Sequence, residues 1–227
     1  MKKELAIVAF VLLAAACKPK DSSSSGATAS PAANAGDTDK NVPGGSIPAG
    51  YIARTDRRNV PISGARYLAS GNGWDVTTGP AHILYAPKDS AKSHYTASAT
   101  FEQLDAPAHP EAFGIFFGGI HLDQPTQAYM YFEVRGTGEM LVKLRDGAST
   151  RDTISWAHNP NVPKQDAAGK ATYNLAVSVS PDSVRFIVND KQVAALANTN
   201  LQSDGVAGIR VNHNLHLRVT PIAIKTQ

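Results

Sequence analysis

The sequence predicts an all-β protein in which two antiparallel sheets stack as a sandwich, preceded by a signal peptide and a disordered tether. Short stretches with alternating apolar and polar side chains recur along most of the chain, as in half-buried strands. Gly, Pro, Asn and Asp separate these stretches, which is typical of turns between strands. No long stretch has the apolar period and caps of a helix. Together these observations favour a sandwich over a helical or mixed fold.

The clearest alternation lies in a predicted hairpin with the strands Gln127–Arg135 and Glu139–Arg145, joined by a glycine-framed turn. One face of its first strand is apolar and carries Met130, Phe132 and Val134. The opposite face carries Tyr129, Tyr131, Glu133 and Arg135. In the second strand, Lys143 and Arg145 fall on the same polar face. We therefore expect a sheet with an apolar inner face and an aromatic, charged outer face.

Nine further strands are predicted along the chain, most of them with the same alternation. They are Ala81–Ala86, His94–Phe101, Phe113–Gly118, Thr150–Trp156, Thr172–Ser180, Ser183–Asn189, Gln192–Leu196, Val206–Val211 and Leu215–Lys225. Tight turns are expected at Pro181 and at Asn189-Asp190, because Pro fixes φ and Asn and Asp tolerate positive φ. The preceding segment, Tyr51–Ser70, is irregular and is expected to wrap the edge of the sandwich.

The N-terminus reads as a signal peptide that spans residues 1–16. Lys2 and Lys3 precede an apolar run, Leu5–Ala16, which is shorter than the roughly 20 residues of a membrane-spanning helix. The small residues before Cys17 resemble a bacterial lipobox, although Ala14 stands where that pattern usually has Leu. The resemblance implies a lipoprotein whose Cys17 carries palmitate-type acyl chains. An ordinary secretory signal is the alternative.

The expected location is the cell envelope, with a lipid anchor in the membrane. Lys18 follows Cys17 in place of the Asp that resembles an inner-membrane retention signal, so the outer membrane is favoured over the inner. Residues 17–50 are rich in Ser, Ala, Gly and Pro and have almost no large apolar residue, which predicts a flexible tether. The folded domain is expected at residues 51–227, as a monomer.

Composition excludes several classes of function. A single cysteine rules out an intramolecular disulfide framework. The formal net charge is +3, and no basic run is interleaved with aromatics, so nucleic acid is not an expected partner. The cluster Arg54, Arg57 and Arg58 around Asp56 has two interpretations. It could contact a polyanion or a lipid headgroup, or it could be a solvated loop, which is the commoner case.

Seven segments together resemble one known superfamily. They are Gly73-Trp74-Asp75-Val76, the strand ending in Phe101, Phe113–Phe117, Tyr131–Val134, Tyr173–Val177, Val184–Asn189 and Gly205–Arg210. Their order and turns are similar to the concanavalin-A-like lectin/glucanase jelly roll, in particular to LamG-like bacterial domains of the 3-keto-disaccharide hydrolase type. The resemblance covers roughly Trp74 to Lys225. It implies two stacked sheets, one of which receives a sugar chain on its outer face.

The outer face of the hairpin is the main candidate for a ligand site, with a carbohydrate or another cell-envelope component as partner. Tyrosine rings stack on sugar rings, and charged side chains bond their hydroxyls. The candidate residues are Tyr129, Tyr131, Glu133, Arg135, Lys143 and Arg145, joined by Arg210 and Arg218 from later strands. The alternative is that they form ordinary cross-strand pairs on a solvated face, for example Glu133 with Lys143. A purely structural interaction module is then the expected function.

Catalysis is the other alternative, with Glu133 as acid or base. Glycosidases of the superfamily use two or three acidic residues on one strand, whereas Glu133 stands alone on its own, and Glu102 and Asp105 form the nearest other pair. No cofactor is expected, and the seven histidines lack the spacing of a zinc site. Calcium bound through Asp123, Asp146 and Asp152 stays open, although no motif supports it.

Overall fold

The structure, a computed structural model, describes residues 38–226 and contains two eight-stranded antiparallel sheets. In chain order the strands are β1 (Ile52–Thr55), β2 (Ala65–Ser70), β3 (Gly73–Thr78), β4 (His82–Tyr85), β5 (Ser90–Ala91), β6 (Tyr95–Gln103), β7 (Ala112–Ile120), β8 (Ala128–Arg135), β9 (Glu139–Asp146), β10 (Ser149–His158), β11 (Ala171–Val179), β12 (Ser183–Val188), β13 (Lys191–Ala197), β14 (Gly205–Val211), β15 (His216–Val219) and β16 (Ala223–Thr226). A short 3₁₀ turn at Ile62–Gly64 precedes β2. The predicted signal peptide and Cys17 lie outside the described residues.

The first sheet has the strand order β1-β4-β14-β7-β8-β9-β10, with β5 beside β14. The second has the order β13-β12-β11-β6-β15-β3-β2, with β16 beside β6. All assigned strand pairs are antiparallel, which confirms the predicted all-β sandwich. Within residues 38–226, no helix has the length and apolar character needed to cross a lipid bilayer.

All eleven predicted strands coincide with strands of the structure, although the last one is split into β15 and β16. The structure adds β1, β2, β3 and β5. The segment Tyr51–Ser70 does run along edges, since β1 borders the first sheet and β2 the second. It does so as two paired strands that are separated by irregular chain and the 3₁₀ turn. β1 and β2 are only four and six residues long. Strands this short have too few alternating positions to be recognised from the sequence.

The core lies between the sheets and takes the apolar face of the β8–β9 hairpin. Met130, Phe132 and Val134 are buried there, as predicted. Phe132 contacts Phe186 of the second sheet with ring centroids 5.2 Å apart, and Phe101 stacks on Phe113 across the interface at 5.5 Å. These contacts place the opposite face of the hairpin on the outside of the first sheet.

Part of the predicted tether packs against the sandwich. The side chain of Val42 is buried, and the Tyr67 amide donates a hydrogen bond to the Ser46 carbonyl at 3.1 Å. The Lys40 amide also bonds the Asn214 side-chain oxygen at 2.7 Å. The folded region therefore begins by Thr38, earlier than the expected boundary at residue 51.

Candidate ligand-binding site

The outer face of the β8–β9 hairpin is covered and not open to solvent, which corrects the predicted docking face. Tyr129, Tyr131 and Glu133 do share that face, but each is at most 4% exposed. They belong to, or border, a second apolar cluster. Its members are Ile83, Tyr85, Phe116, Leu122, Tyr129, Tyr131 and Leu141. Leu122 comes from the β7–β8 loop, so this loop helps to seal the two tyrosines from water.

One row of residues crosses the first sheet and places its charged groups. Strand pairing aligns Arg54 with Ile83, Ile83 with Arg210, Arg210 with Gly114, and Gly114 with Glu133. Arg210 and Glu133 thus stand two strands apart with a glycine between them. Because Gly114 has no side chain, the Arg210 guanidinium reaches over it to within 3.2 Å of the Glu133 carboxylate.

Arg210 is the centre of a buried ionic cluster. Its two terminal nitrogens donate hydrogen bonds of 2.7 Å each to the two carboxylate oxygens of Asp56, the fork geometry that gives strong pairs. Its guanidinium carbon lies 4.5 Å from the centre of the Tyr131 ring, a cation–π contact. The facing atoms Nε of Arg210 and Oε1 of Glu133 make no hydrogen bond. Asp56 is therefore the preferred partner of Arg210, and Glu133 is the weaker one.

Burial and charge separate the pKa values of the two carboxylates. Burial raises the pKa of Glu133 from 4.5 to about 7, since the charge of Arg210 opposes it only in part. Burial also acts to raise the pKa of Asp56, but the charge and hydrogen bonds of Arg210 outweigh it and lower the value to about 2. Asp56 is thus ionised at neutral pH, whereas Glu133 is protonated in a substantial fraction of molecules.

An open pocket of about 420 Å³ lies beside this cluster. Arg54 of β1 and Asp56 and Arg58 of the segment after it form one wall, while Gln127 directly precedes β8 and Arg145 belongs to β9. Its volume lies within the range of about 300–1,000 Å³ common for small-molecule sites. A second pocket of about 310 Å³ shares Arg54 and Arg58 and is lined by Tyr85, Leu122 and Asp123.

Two of the three arginines that line the larger pocket, Arg54 and Arg145, are held by carbonyl oxygens. Arg145 donates to the carbonyls of Gly147 at 2.9 Å and of Asp56 at 3.1 Å. Arg54 donates to the carbonyl of Gln124 at 3.0 Å and also to that of Leu122. Among residues 38–226, no carboxylate forms an ion pair with Arg54, Arg58 or Arg145. Burial, followed by the charges of Arg58 and Arg145, lowers the pKa of Arg54.

Of the predicted site residues Arg145 lines this pocket, and three others lie apart from the Arg210 cluster beside it. Arg135 pairs with Glu139 at 2.8 Å at the far end of the hairpin and lies 4.1 Å above the Trp156 ring. Lys143 pairs with Asp152 at 3.2 Å, so the suggested Glu133–Lys143 pair is wrong.

Arg218 does not join the predicted face either. It stands on β15 in the second sheet and pairs with Glu102 at 2.6 Å. The structure therefore brings together Tyr129, Tyr131, Glu133, Arg145 and Arg210 of the predicted set. The others are held elsewhere by ion pairs with directly opposite residues on neighbouring strands.

Sequence reasoning missed the role of Asp56, which stands far from Arg210 along the chain. The cluster of arginines around it was visible, but its solvated-loop interpretation is wrong for Asp56 and Arg54, which pack over the first sheet. The pairing of β1 with β4 brings them there. Within the described part of the chain, no group of three or more His, Cys, Asp or Glu side chains is arranged to hold a metal ion.

Solved structures share this fold at low sequence identity. A carbohydrate-binding module, CBM66, from Bacillus subtilis superposes with a TM-score of 0.57 at 10% identity, over 78% of this chain and 96% of that one. A protein of unknown function with a galectin-like fold, also from Bacillus subtilis, superposes with a TM-score of 0.56 at 9% identity, over 78% and 89% of the two chains. These likenesses show a galectin-like sandwich. No protein-family model and no curated protein matches the sequence.

Proposed function

We propose that this domain binds a carbohydrate, without turnover, in the pocket beside the Arg210 cluster. The observation that carries the proposal is the pocket itself, in which planar charged and amide groups converge within about 420 Å³. Asp56, Arg145 and Gln127 contribute a carboxylate, a guanidinium and an amide to its lining, and a hydrogen bond holds each side chain in place. Groups of these three kinds bond pairs of sugar hydroxyls with defined geometry.

The neighbouring pocket suits the apolar side of a sugar ring. Tyr85 and Leu122 line it, and it meets the larger pocket at Arg54 and Arg58. A ligand of two or more rings can therefore contact both pockets. The fold likeness to a protein described as a carbohydrate-binding module supports the proposal.

The proposal is tested by closing the pocket without changing its charge. Ala148 is exposed and lines the pocket, so Ala148→Trp should fill it and abolish binding of the full chain on a glycan array. Ala195→Trp, at an exposed position of β13 in the second sheet, is the matched control and should bind as the natural chain does. An array without any bound glycan, or equal binding by both variants, would count against this function.

One observation favours an enzyme as the second candidate. Glu133 and Asp56 face the same arginine with pKa values of about 7 and about 2, the separation that suits an acid and a base. The activity would be the hydrolysis of a 3-keto-disaccharide or a related glycoside. Glu133 is only 2% exposed, however, and a catalytic acid has to touch its substrate, which favours binding alone. Sugar release that is lost in Glu133→Gln would establish the enzyme instead.

Anchoring at the cell envelope is a separate part of the proposal. The basic start, the apolar run and Cys17 support a lipoprotein, and Lys18 supports the outer membrane as its destination. Incorporation of labelled palmitate into the full chain, and its loss in Cys17→Ser, is the expected result. Label that persists in Cys17→Ser would contradict lipidation at this residue.

A further inference from the structure

We infer that the ligand of this pocket is an anionic saccharide, whose acidic group is held by Arg54, Arg58 and Arg145. This inference rests on the proposed function and narrows the class of sugar. Its basis is the imbalance of charge around the pocket. Arg54, Arg58 and Arg145 line it, whereas Asp56 is the only carboxylate among the described residues that do so.

The charge of the one carboxylate among the described lining residues is already paired with Arg210, which does not line the pocket. Both oxygens of Asp56 accept hydrogen bonds from Arg210, and it is Asp56's backbone carbonyl that Arg145 contacts. Glu133 faces Arg210 from beneath and does not line the pocket. Asp123 lines the neighbouring pocket, where it forms no ion pair with Arg54 or Arg58. Among the described residues, Arg54, Arg58 and Arg145 therefore form no ion pair with a carboxylate, and the nearby charge of Asp56, which also acts on Arg145, is paired with Arg210.

Because Arg145 is nearly buried, the excess of positive charge around the pocket destabilises the folded protein unless a ligand supplies a negative charge. Arg145 is 9% exposed, and its partners are neutral carbonyls. A nearly buried charge without an opposite charge destabilises the folded protein. Burial is the largest cause that lowers the pKa of Arg54, and the like charges of Arg58 and Arg145 add to it, in keeping with the closeness of these groups around the pocket. A carboxylate or sulfate on the ligand would relieve both effects and form charge-assisted hydrogen bonds.

Neutral sugars do not account for this arrangement. Hydroxyl groups can accept from a guanidinium, but they leave its charge uncompensated. The planar carboxylate of a uronic acid and the tetrahedral sulfate of a sulfate ester both supply the missing charge, and each offers two oxygens to a guanidinium fork. The shared chemistry is an acidic group fixed to a sugar ring, and the two sources are distinguished by experiment.

The test compares an oligogalacturonate with its carboxyl-reduced counterpart, which differs only in having hydroxymethyl groups in place of carboxylates. The full chain should bind the acidic form at least about tenfold more tightly, since hydrogen bonds to charged groups are the stronger kind. Arg58→Ala should remove most of this preference. Arg58 is exposed and makes no hydrogen bond or ion pair within the described residues, so the variant should fold normally.

Arg185→Ala is the matched control, because Arg185 is an exposed arginine on β12 of the other sheet. It should keep the full preference for the acidic form. Raising the salt from about 50 mM to about 500 mM should weaken binding of the acidic form more than that of the neutral one. Tighter binding of a sulfated galactose oligosaccharide would support the inference and assign the charge to sulfate.

Two results would overturn it. Equal affinity for the acidic and reduced forms, unchanged by Arg58→Ala, would leave the carbohydrate-binding function intact and remove only the anionic specificity. Binding to vesicles of anionic phospholipid, with no glycan bound, would assign the arginines to a membrane surface. Failure of every saccharide, neutral or acidic, on the natural chain would instead reject the proposed function on which the inference depends.

Discussion

Arg210 and Asp56, which are 154 positions apart in the chain, form a two-pronged ion pair with both nitrogen–oxygen distances at 2.7 Å. Arg210 stands in the middle of the first sheet, and Asp56 follows the edge strand β1. The pair therefore holds the segment after β1 against the outer face of the sheet. This segment forms one wall of the pocket, so the same contact links the stability of the fold to the shape of the site.

Removing Asp56 should destabilise the protein more than removing a comparable surface charge. Asp56→Asn leaves the buried Arg210 with only Glu133 beside it, and loss of one member of a buried pair costs about 3 kcal/mol or more. Denaturant unfolding measures this loss. Arg57→Gln breaks an exposed pair with Asp39 and should cost no more than about 1 kcal/mol. Equal losses in the two variants would show that Arg210 does not depend on Asp56.

The raised pKa of Glu133 predicts a change of stability near neutral pH. Its pKa is 4.5 when unperturbed and about 7 in the folded protein, so the folded state binds the proton more tightly. The resulting stabilisation is fully present below pH 4.5 and is lost as the pH rises through about 7. Glu133→Gln keeps the neutral form, and the fall in unfolding free energy between these values should be absent in that variant.

The titration of His82 changes the stability in the opposite direction, so it limits the pH range in which the effect of Glu133 can be measured. Burial lowers its pKa from 6.5 to about 4, so its contribution is present above pH 6.5 and is lost as the pH falls toward 4. The two effects oppose each other between pH 4.5 and 6.5, whereas above 6.5 only that of Glu133 remains. A natural chain whose stability does not fall between pH 6.5 and 8 would contradict the assignment of a raised pKa to Glu133.

Gly114 should not accept even a methyl group. A Cβ atom at this position would lie 1.9 Å from the Phe132 carbonyl oxygen, so β7 and β8 would have to shift. Gly114→Ala should therefore cost about 1–3 kcal/mol in denaturant unfolding. It should also weaken the contact between Arg210 and Glu133, which passes over this residue. If NMR titration gives Glu133 the same pKa in this variant as in the natural chain, the space above Gly114 is not needed for the contact between Arg210 and Glu133.

The sandwich could be predicted from the sequence because its long strands alternate strictly. Phe132 and its neighbours identify the inner face by themselves, since period-two alternation is a local property. Alternation could not predict that other segments of the chain cover the outer face of the first sheet. This cover depends on β1, which pairs with β4 through four residues of weak alternation, and on a loop residue, Leu122. Alternation distinguishes the two faces of a strand, but it does not show whether a remote segment shields one of them.

Tyr131 tests whether the outer face of the first sheet is truly covered. On a solvated sheet face, Tyr131→Ala would change stability by no more than about 0.5 kcal/mol, as most surface substitutions do. Here Tyr131 is 4% exposed, packs beside Tyr129 and lies beneath the Arg210 guanidinium. Its removal should therefore cost about 3 kcal/mol or more in denaturant unfolding, close to the loss for Phe132→Ala in the main core. Leu68→Ala, at a residue 48% exposed on β2, provides the surface reference and should stay within about 0.5 kcal/mol. If Tyr131→Ala behaves like Leu68→Ala and not like Phe132→Ala, the segment after β1 does not cover the sheet in solution, and the wall of the pocket that it forms is absent.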